Sequence, residues 1–142
     1  MKTFYVREQS TGKLIHNPAE VALSFASLAN ADQESLWVIG CNGANKEIYR
    51  ECIFLGGGNA SIVDSRILFK RLLMKDCSSF ILVHNHPGGS TEPSEADKSL
   101  TKRIISGAEI LGLTFLDHLI IEVKVQEIEK EYNRGIYIGE VG

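Results

Sequence analysis

The chain has 142 residues, 15 Lys+Arg against 18 Asp+Glu, a formal net charge of −3 and 44% hydrophobic residues. That length fits one compact domain with its own core, so neither a disulfide-stapled mini-fold nor a two-domain machine is the first reading. The acidic balance argues against coating nucleic acid through bulk electrostatics, because nonspecific affinity comes mainly from neutralising phosphates.

In chain order, Met1-Lys2-Thr3-Phe4-Tyr5 lacks the apolar core of a signal peptide. Phe4-Tyr5-Val6 and Leu14-Ile15 predict a short hairpin across Gln9-Ser10-Thr11-Gly12. Asn17-Pro18-Ala19-Glu20 opens a helix, with Val21, Leu23, Ala26 and Leu28 as its apolar face up to about Ala29. Leu36-Trp37-Val38-Ile39 and the run from Ile48-Tyr49 to Phe54-Leu55 predict two strands, joined as a hairpin through Asn42-Gly43-Ala44-Asn45. Gly56-Gly57-Gly58-Asn59 breaks the second strand, and without a Lys-Ser/Thr ending it is not a phosphate loop. Asp64 or Ser65 caps a helix running to Met74, with Ile67, Leu68, Leu72 and Leu73 expected to face inward.

Phe80-Ile81-Leu82-Val83 has no polar alternation and predicts a central strand covered on both sides. No uninterrupted apolar run is longer than these four residues, far short of the roughly 20 needed to cross a bilayer. Ser94 to Leu111 is the clearest helix, with Leu100, Ile104, Ala108 and Leu111 as its stripe and Gly112 as its stop. Thr114-Phe115-Leu116 and Leu119-Ile120-Ile121 form one further strand. In the tail, Val123 and Val125 alternate, Glu127-Ile128-Glu129-Lys130-Glu131 is helix-like, and Gly135-Ile136-Tyr137-Ile138 suits a closing strand. Cys41, Cys52 and Cys77 are far apart and set among apolar or small residues, which reads as core thiols in a reducing cytoplasm.

Chemistry concentrates in His84-Asn85-His86-Pro87 and Ser94-Glu95-Ala96-Asp97. Strand side chains alternate, so His84 and His86 project from one face at the end of the buried strand, where two imidazoles reach one metal. Asp97 lies three residues before Leu100 and seven before Ile104, on the inward face of the helix, where a carboxylate needs a partner. A loop from Pro87 to Pro93 brings the two segments together. Two His nitrogens and one Asp oxygen leave the fourth position of a tetrahedral zinc open for water, as in a catalytic site. The same Ser94-x-x-Asp97 also reads as an ordinary capping box.

HxH, seven residues, then SxxD resembles the JAMM signature of MPN-domain metalloproteases. HNHPGG, Asp117-His118-Leu119-Ile120 and Arg66 at the head of its helix resemble the RadC branch of that family. The resemblance runs from about Pro18 to Ile121 within one domain spanning 1–142. It implies an α/β MPN fold of the JAB/cytidine-deaminase-like kind, with a mixed sheet flanked by helices. It further implies one zinc ion on His84, His86 and Asp97, and a catalytic glutamate at the head of the first core strand, which Glu34 matches. By chemistry alone Glu34 would be a solvated acid at an element boundary. Full-length RadC proteins usually carry a helix-hairpin-helix region that these residues do not contain, and Cys41-Asn42 stands where an aspartate is common.

The function expected is hydrolysis of a peptide or isopeptide bond through a metal-activated water, with Glu34 as general base then acid and Ser94 donating to the oxyanion. The alternatives are a non-catalytic DNA-repair-associated or protein-interaction module that retains its zinc, and hydrolysis of some other bond. His118 reads either as a support for a metal-bound histidine or as a core residue satisfied by backbone, and His16 as a surface residue. The ridge Arg66, Lys70, Arg71 and Lys75 reads as a solvated face, with nucleic-acid contact as the sharper option. The expected partner is an unidentified peptide or protein substrate, with no membrane.

Overall fold

The computed structural model describes residues 12, 14–15, 21, 24–25, 33–55, 63–86, 92–128 and 131–141. In chain order these form β1 (Ser35–Cys41), β2 (Glu47–Leu55), α1 (Ser65–Met74), β3 (Ser79–Asn85), α2 (Glu95–Leu111), β4 (Thr114–Ile128) and β5 (Glu131–Glu140). The strands make one five-stranded mixed sheet in the order β2-β1-β3-β4-β5. All neighbours are antiparallel except β3 and β4, which run parallel and are therefore joined by a crossover, α2. The α/β class and the mixed sheet with flanking helices are as the sequence implied.

The central strands lack polar alternation because both faces of the sheet are covered. Leu36, Val38, Phe80 and Leu82 pack with Leu68, Phe69 and Leu72 of α1 and with Leu100, Ile104 and Ala108 of α2. Their sequence neighbours Trp37, Ile39, Ile81 and Val83 pack on the other side with Ile15, Val21 and Phe25. Fully burying each large apolar side chain contributes about 1.5–3 kcal/mol, so the two layers together hold β1 and β3 at the centre.

Helix ends follow their capping residues. Asp64 caps α1 by accepting from the Arg66 N–H at 2.9 Å. Ser94 caps α2 in a complete capping box, and Gly112 closes that helix at φ 72°, a left-handed conformation suited to glycine. Gly107 lets α2 approach α1, since a Cβ there would lie 2.5 Å from Cε2 of Phe69.

Three expectations need correction. In α1 the buried residues are Leu68, Phe69 and Leu72, whereas Ile67 and Leu73 are exposed. The helix meets the sheet along a narrower stripe than apolar content suggests. In α2, Leu111 is exposed and Leu113, past the glycine stop, takes the core position. The tail is a hairpin with no helix over its described residues: β4 continues to Ile128 and pairs with β5 from Ile128↔Glu131 to Leu119↔Glu140. Strand pairing close in sequence overrides the helix preference of Glu127 and its neighbours.

Other expectations hold. The β1–β2 hairpin turns through Asn42–Asn45, with Asn45 at φ 64°, and Cys41, Cys52 and Cys77 are buried free thiols. Leu14, expected to pair with Phe4–Val6, forms an isolated antiparallel bridge with Lys46, a pairing the sequence did not suggest. The strand at Phe4–Val6, the helix start at Asn17–Glu20 with Leu23, Ala26 and Leu28, His16, Gly56–Asn59 and 87–91 lie outside the described residues. Among the described residues no helix is long and apolar enough to cross a membrane.

Candidate metal centre

Strand register builds the site. β1 and β3 pair antiparallel with Leu36 opposite His84, so two residues further out in each chain direction Glu34 comes opposite His86. Side chains two apart share a face, and that face is the one α2 covers. The His86 N–H donates to the Ile121 carbonyl at 3.2 Å, which keeps the chain in line with β4 just past the last residue of β3.

Asp97 arrives from the first turn of α2. Its carboxylate accepts from the Ser94 N–H at 2.8 Å, while its own N–H donates to Ser94 Oγ at 3.1 Å. The same carboxylate lies 3.3 Å from Nε2 of His84 and 3.3 Å from Nε2 of His86. Asp97 therefore completes the capping box and at the same time stands beside both histidines, the cap aiming its carboxylate at them. Glu34 Oε1 stands farther off, 3.9 Å from His84 Nε2 and 4.0 Å from His86 Nε2. It is half-buried in this cluster, which replaces the picture of a solvated boundary acid.

Glu34, His84, His86 and Asp97 each offer one ligand atom within 4.8 Å of all the others, a group that could hold a metal ion. The donor set suits a divalent cation. The two imidazole nitrogens face each other at 2.6 Å beside two carboxylates. The two Asp97 oxygens each lie 3.3 Å from one histidine nitrogen, Oδ1 from His84 and Oδ2 from His86. Two carboxylates and two imidazoles are thus gathered within 4.8 Å of one another at the end of the sheet.

Asn85, between the two histidines, points the other way and brackets Glu34. Its Oδ1 accepts from the Ser35 N–H and from Ser35 Oγ, both at 2.8 Å, and its Nδ2 donates to the Gln33 carbonyl at 2.9 Å. Trp37 Nε1 donates to Ser35 Oγ at 3.2 Å, tying this clamp to the core. The residues on either side of Glu34 are thus fixed to the strand that carries both histidines.

His118 is fully buried, and its ring nitrogens meet His84 Nδ1 at 2.7 Å and Thr101 Oγ1 at 2.9 Å. Its ring partners are side chains, so the backbone-satisfied reading is corrected. Thr101 and Asn85 were not singled out in the sequence. A polar residue four past Asp97 on an apolar helix stripe, and an Asn inside HxH, were the available signals. On α1, Arg66 pairs with Asp64 and Arg71 with Glu51, leaving the basic ridge partly neutralised.

Burial pulls the His84 pKa down to about 3, with His118 as the next cause, and burial likewise pulls His118 down to about 4. Asp97 is held well below the usual carboxylate range: burial would raise it, but the His86 bond, the His84 ring and the Ser94 donors outweigh that. The two histidines are neutral in the fold and charged in the unfolded chain between their lowered values and about 6.5. Their contribution is therefore full above about pH 6.5 and is lost as pH falls below it. Metal-free protein is expected to lose about 2 kcal/mol per histidine between pH 7 and pH 5 in denaturant titrations. Equal stability at the two pH values would contradict a neutral pair.

The sequence profile of the RadC-like JAB domain matches residues 15–130. A UPF0758 protein of Listeria welshimeri is 44% identical over 101 residues, covering 71% of this chain and 45% of the relative. A UPF0758 protein of Desulforamulus reducens is 41% identical over 112 residues, covering 78% of this chain and 49% of the relative. The chain thus spans less than half the length of these relatives. It belongs to the RadC-like JAB domain family.

Proposed function

We propose that this domain is a zinc-dependent hydrolase that cleaves a peptide or isopeptide bond, with one zinc on His84, His86 and Asp97. The observation that carries the reading is Glu34: a half-buried carboxylate held beside the three donors, but farther from the histidines than Asp97 is. A structural zinc would draw Glu34 in as its fourth ligand; the carboxylate's greater distance from the histidines suits instead a base beside the water that a catalytic zinc keeps in its fourth position.

Bound there, zinc would supply Lewis acidity, lowering the pKa of a water and polarising the substrate carbonyl. Glu34 takes the proton from the attacking water and later delivers it to the leaving amine. Burial raises its pKa, offset in part by His86, and a raised pKa is the direction that makes a carboxylate a better proton acceptor. Ser94, exposed at the start of α2, donates its hydroxyl proton to the developing oxyanion. The substrate is a peptide or protein, and the buried free thiols fit a reducing cytoplasm.

Metal removal tests the reading. Purified protein should contain about one zinc per chain, cleave members of a quenched-fluorescent peptide and isopeptide library, lose that activity on chelation and regain it with added zinc. Tight zinc binding with no cleavage of any library member would favour a non-catalytic module instead.

A further inference from the structure

Behind the metal centre a chain of polar atoms runs into the core, and its inner end sets where the protons of His118 and His84 sit. Thr101 lies on the inward stripe of α2, 3% exposed. Its Oγ1 is 2.8 Å from the Asp97 carbonyl oxygen and 2.9 Å from His118 Nδ1. A carbonyl has no proton to give, so the single hydroxyl proton of Thr101 goes to it, the usual bond of a helical threonine to the residue four before. The hydroxyl oxygen is then an acceptor towards His118, and His118 carries its proton on Nδ1.

A fully buried imidazole stays neutral. His118 Nε2 is therefore an acceptor, and the nitrogen 2.7 Å from it, His84 Nδ1, is the donor. One proton per neutral ring leaves His84 Nε2 with a bare lone pair. That atom faces His86 Nε2 at 2.6 Å and Asp97 at 3.3 Å. The opposite assignment would put a proton on His84 Nε2, where a metal ligand needs none.

We propose that Thr101 and His118 are positioning residues that fix His84 in the tautomer whose Nε2 lone pair faces the metal. The inference rests on the zinc site proposed above. It extends the site about two residues deep into the core and gives α2 a second task. Four residues after supplying a carboxylate, the same helix stripe supplies the hydroxyl that sets the histidine opposite.

The test reads protons and metal rather than turnover. Ring-nitrogen NMR of metal-free wild type should place the His84 proton on Nδ1 and the His118 proton on Nδ1. Thr101→Val removes the acceptor at nearly constant shape; the His118 proton is then free to move to Nε2 and drive the His84 proton to its own Nε2. Competition against a chromophoric chelator should give zinc affinity about 10–100-fold weaker in Thr101→Val, with thermal unfolding reporting that the fold persists, and Thr101→Ser should restore both signals. Wild type with its His84 proton on Nε2 overturns the relay, and needs no variant to do so. A folded Thr101→Val protein with wild-type affinity and tautomer also overturns it. Absence of hydrolysis in wild type overturns the proposed function alone, since neither readout depends on cleavage.

Discussion

Replacing Glu34 by Gln is expected to leave about one zinc per chain while lowering turnover about 10²–10⁴-fold, the range for loss of a general acid–base group. Gln keeps the size and the carbonyl oxygen of Glu but has no basicity, so the variant removes proton transfer and little else. Metal retention follows from distance: Glu34 is 3.9 Å and 4.0 Å from the histidine nitrogens, against 3.3 Å for Asp97. Metal content by atomic spectroscopy, measured beside turnover, separates the roles. Loss of zinc with activity would make Glu34 a ligand, and full activity with zinc bound would remove it from the chemistry.

Asp97→Asn is expected to do the reverse and remove the metal. Structural zinc binding is worth about 10–16 kcal/mol spread over four ligands, so losing the charged oxygen costs about 2.5–4 kcal/mol, or roughly two to three orders of magnitude in affinity. Asn is itself a good acceptor for a main-chain N–H, so the bond from Ser94 survives and α2 keeps its start. Zinc affinity and helix content measured together make the result specific. A variant that folds and still binds zinc like wild type would leave Asp97 as a helix cap only.

Much of this is legible in the sequence. Phe80–Val83 announced a central strand because only a strand buried on both faces can forgo polar residues. His84, His86 and Asp97 were legible because a period of two on the strand and the helical spacing to Leu100 and Ile104 pointed them inward together. Glu34 was less so: nothing local marks it, and only the long-range pairing of Leu36 with His84 brings it to the histidines. The tail misled for the same reason, since Glu127 and Ile128 take strand conformation from their partners across β5 rather than from their own preferences. His118 and Thr101 lie between the two extremes. Each was visible as a polar residue among apolar ones, but their contact joins β4 to α2 over a sequence separation of 17.

The pairing of β1 with β3 also makes the metal centre a gauge of strand alignment. Slipping β1 by one residue would present Gln33 or Ser35 to the histidines in place of Glu34, and would turn Leu36 and Val38 out of the helix-covered layer at the same time. Asn85 holds Ser35 and Gln33 together and so locks that alignment at the end of the strand where a slip would begin. A misaligned sheet would lose its core and its chemistry in one step, so a chain able to hydrolyse anything has, by that fact, already found its correct pairing.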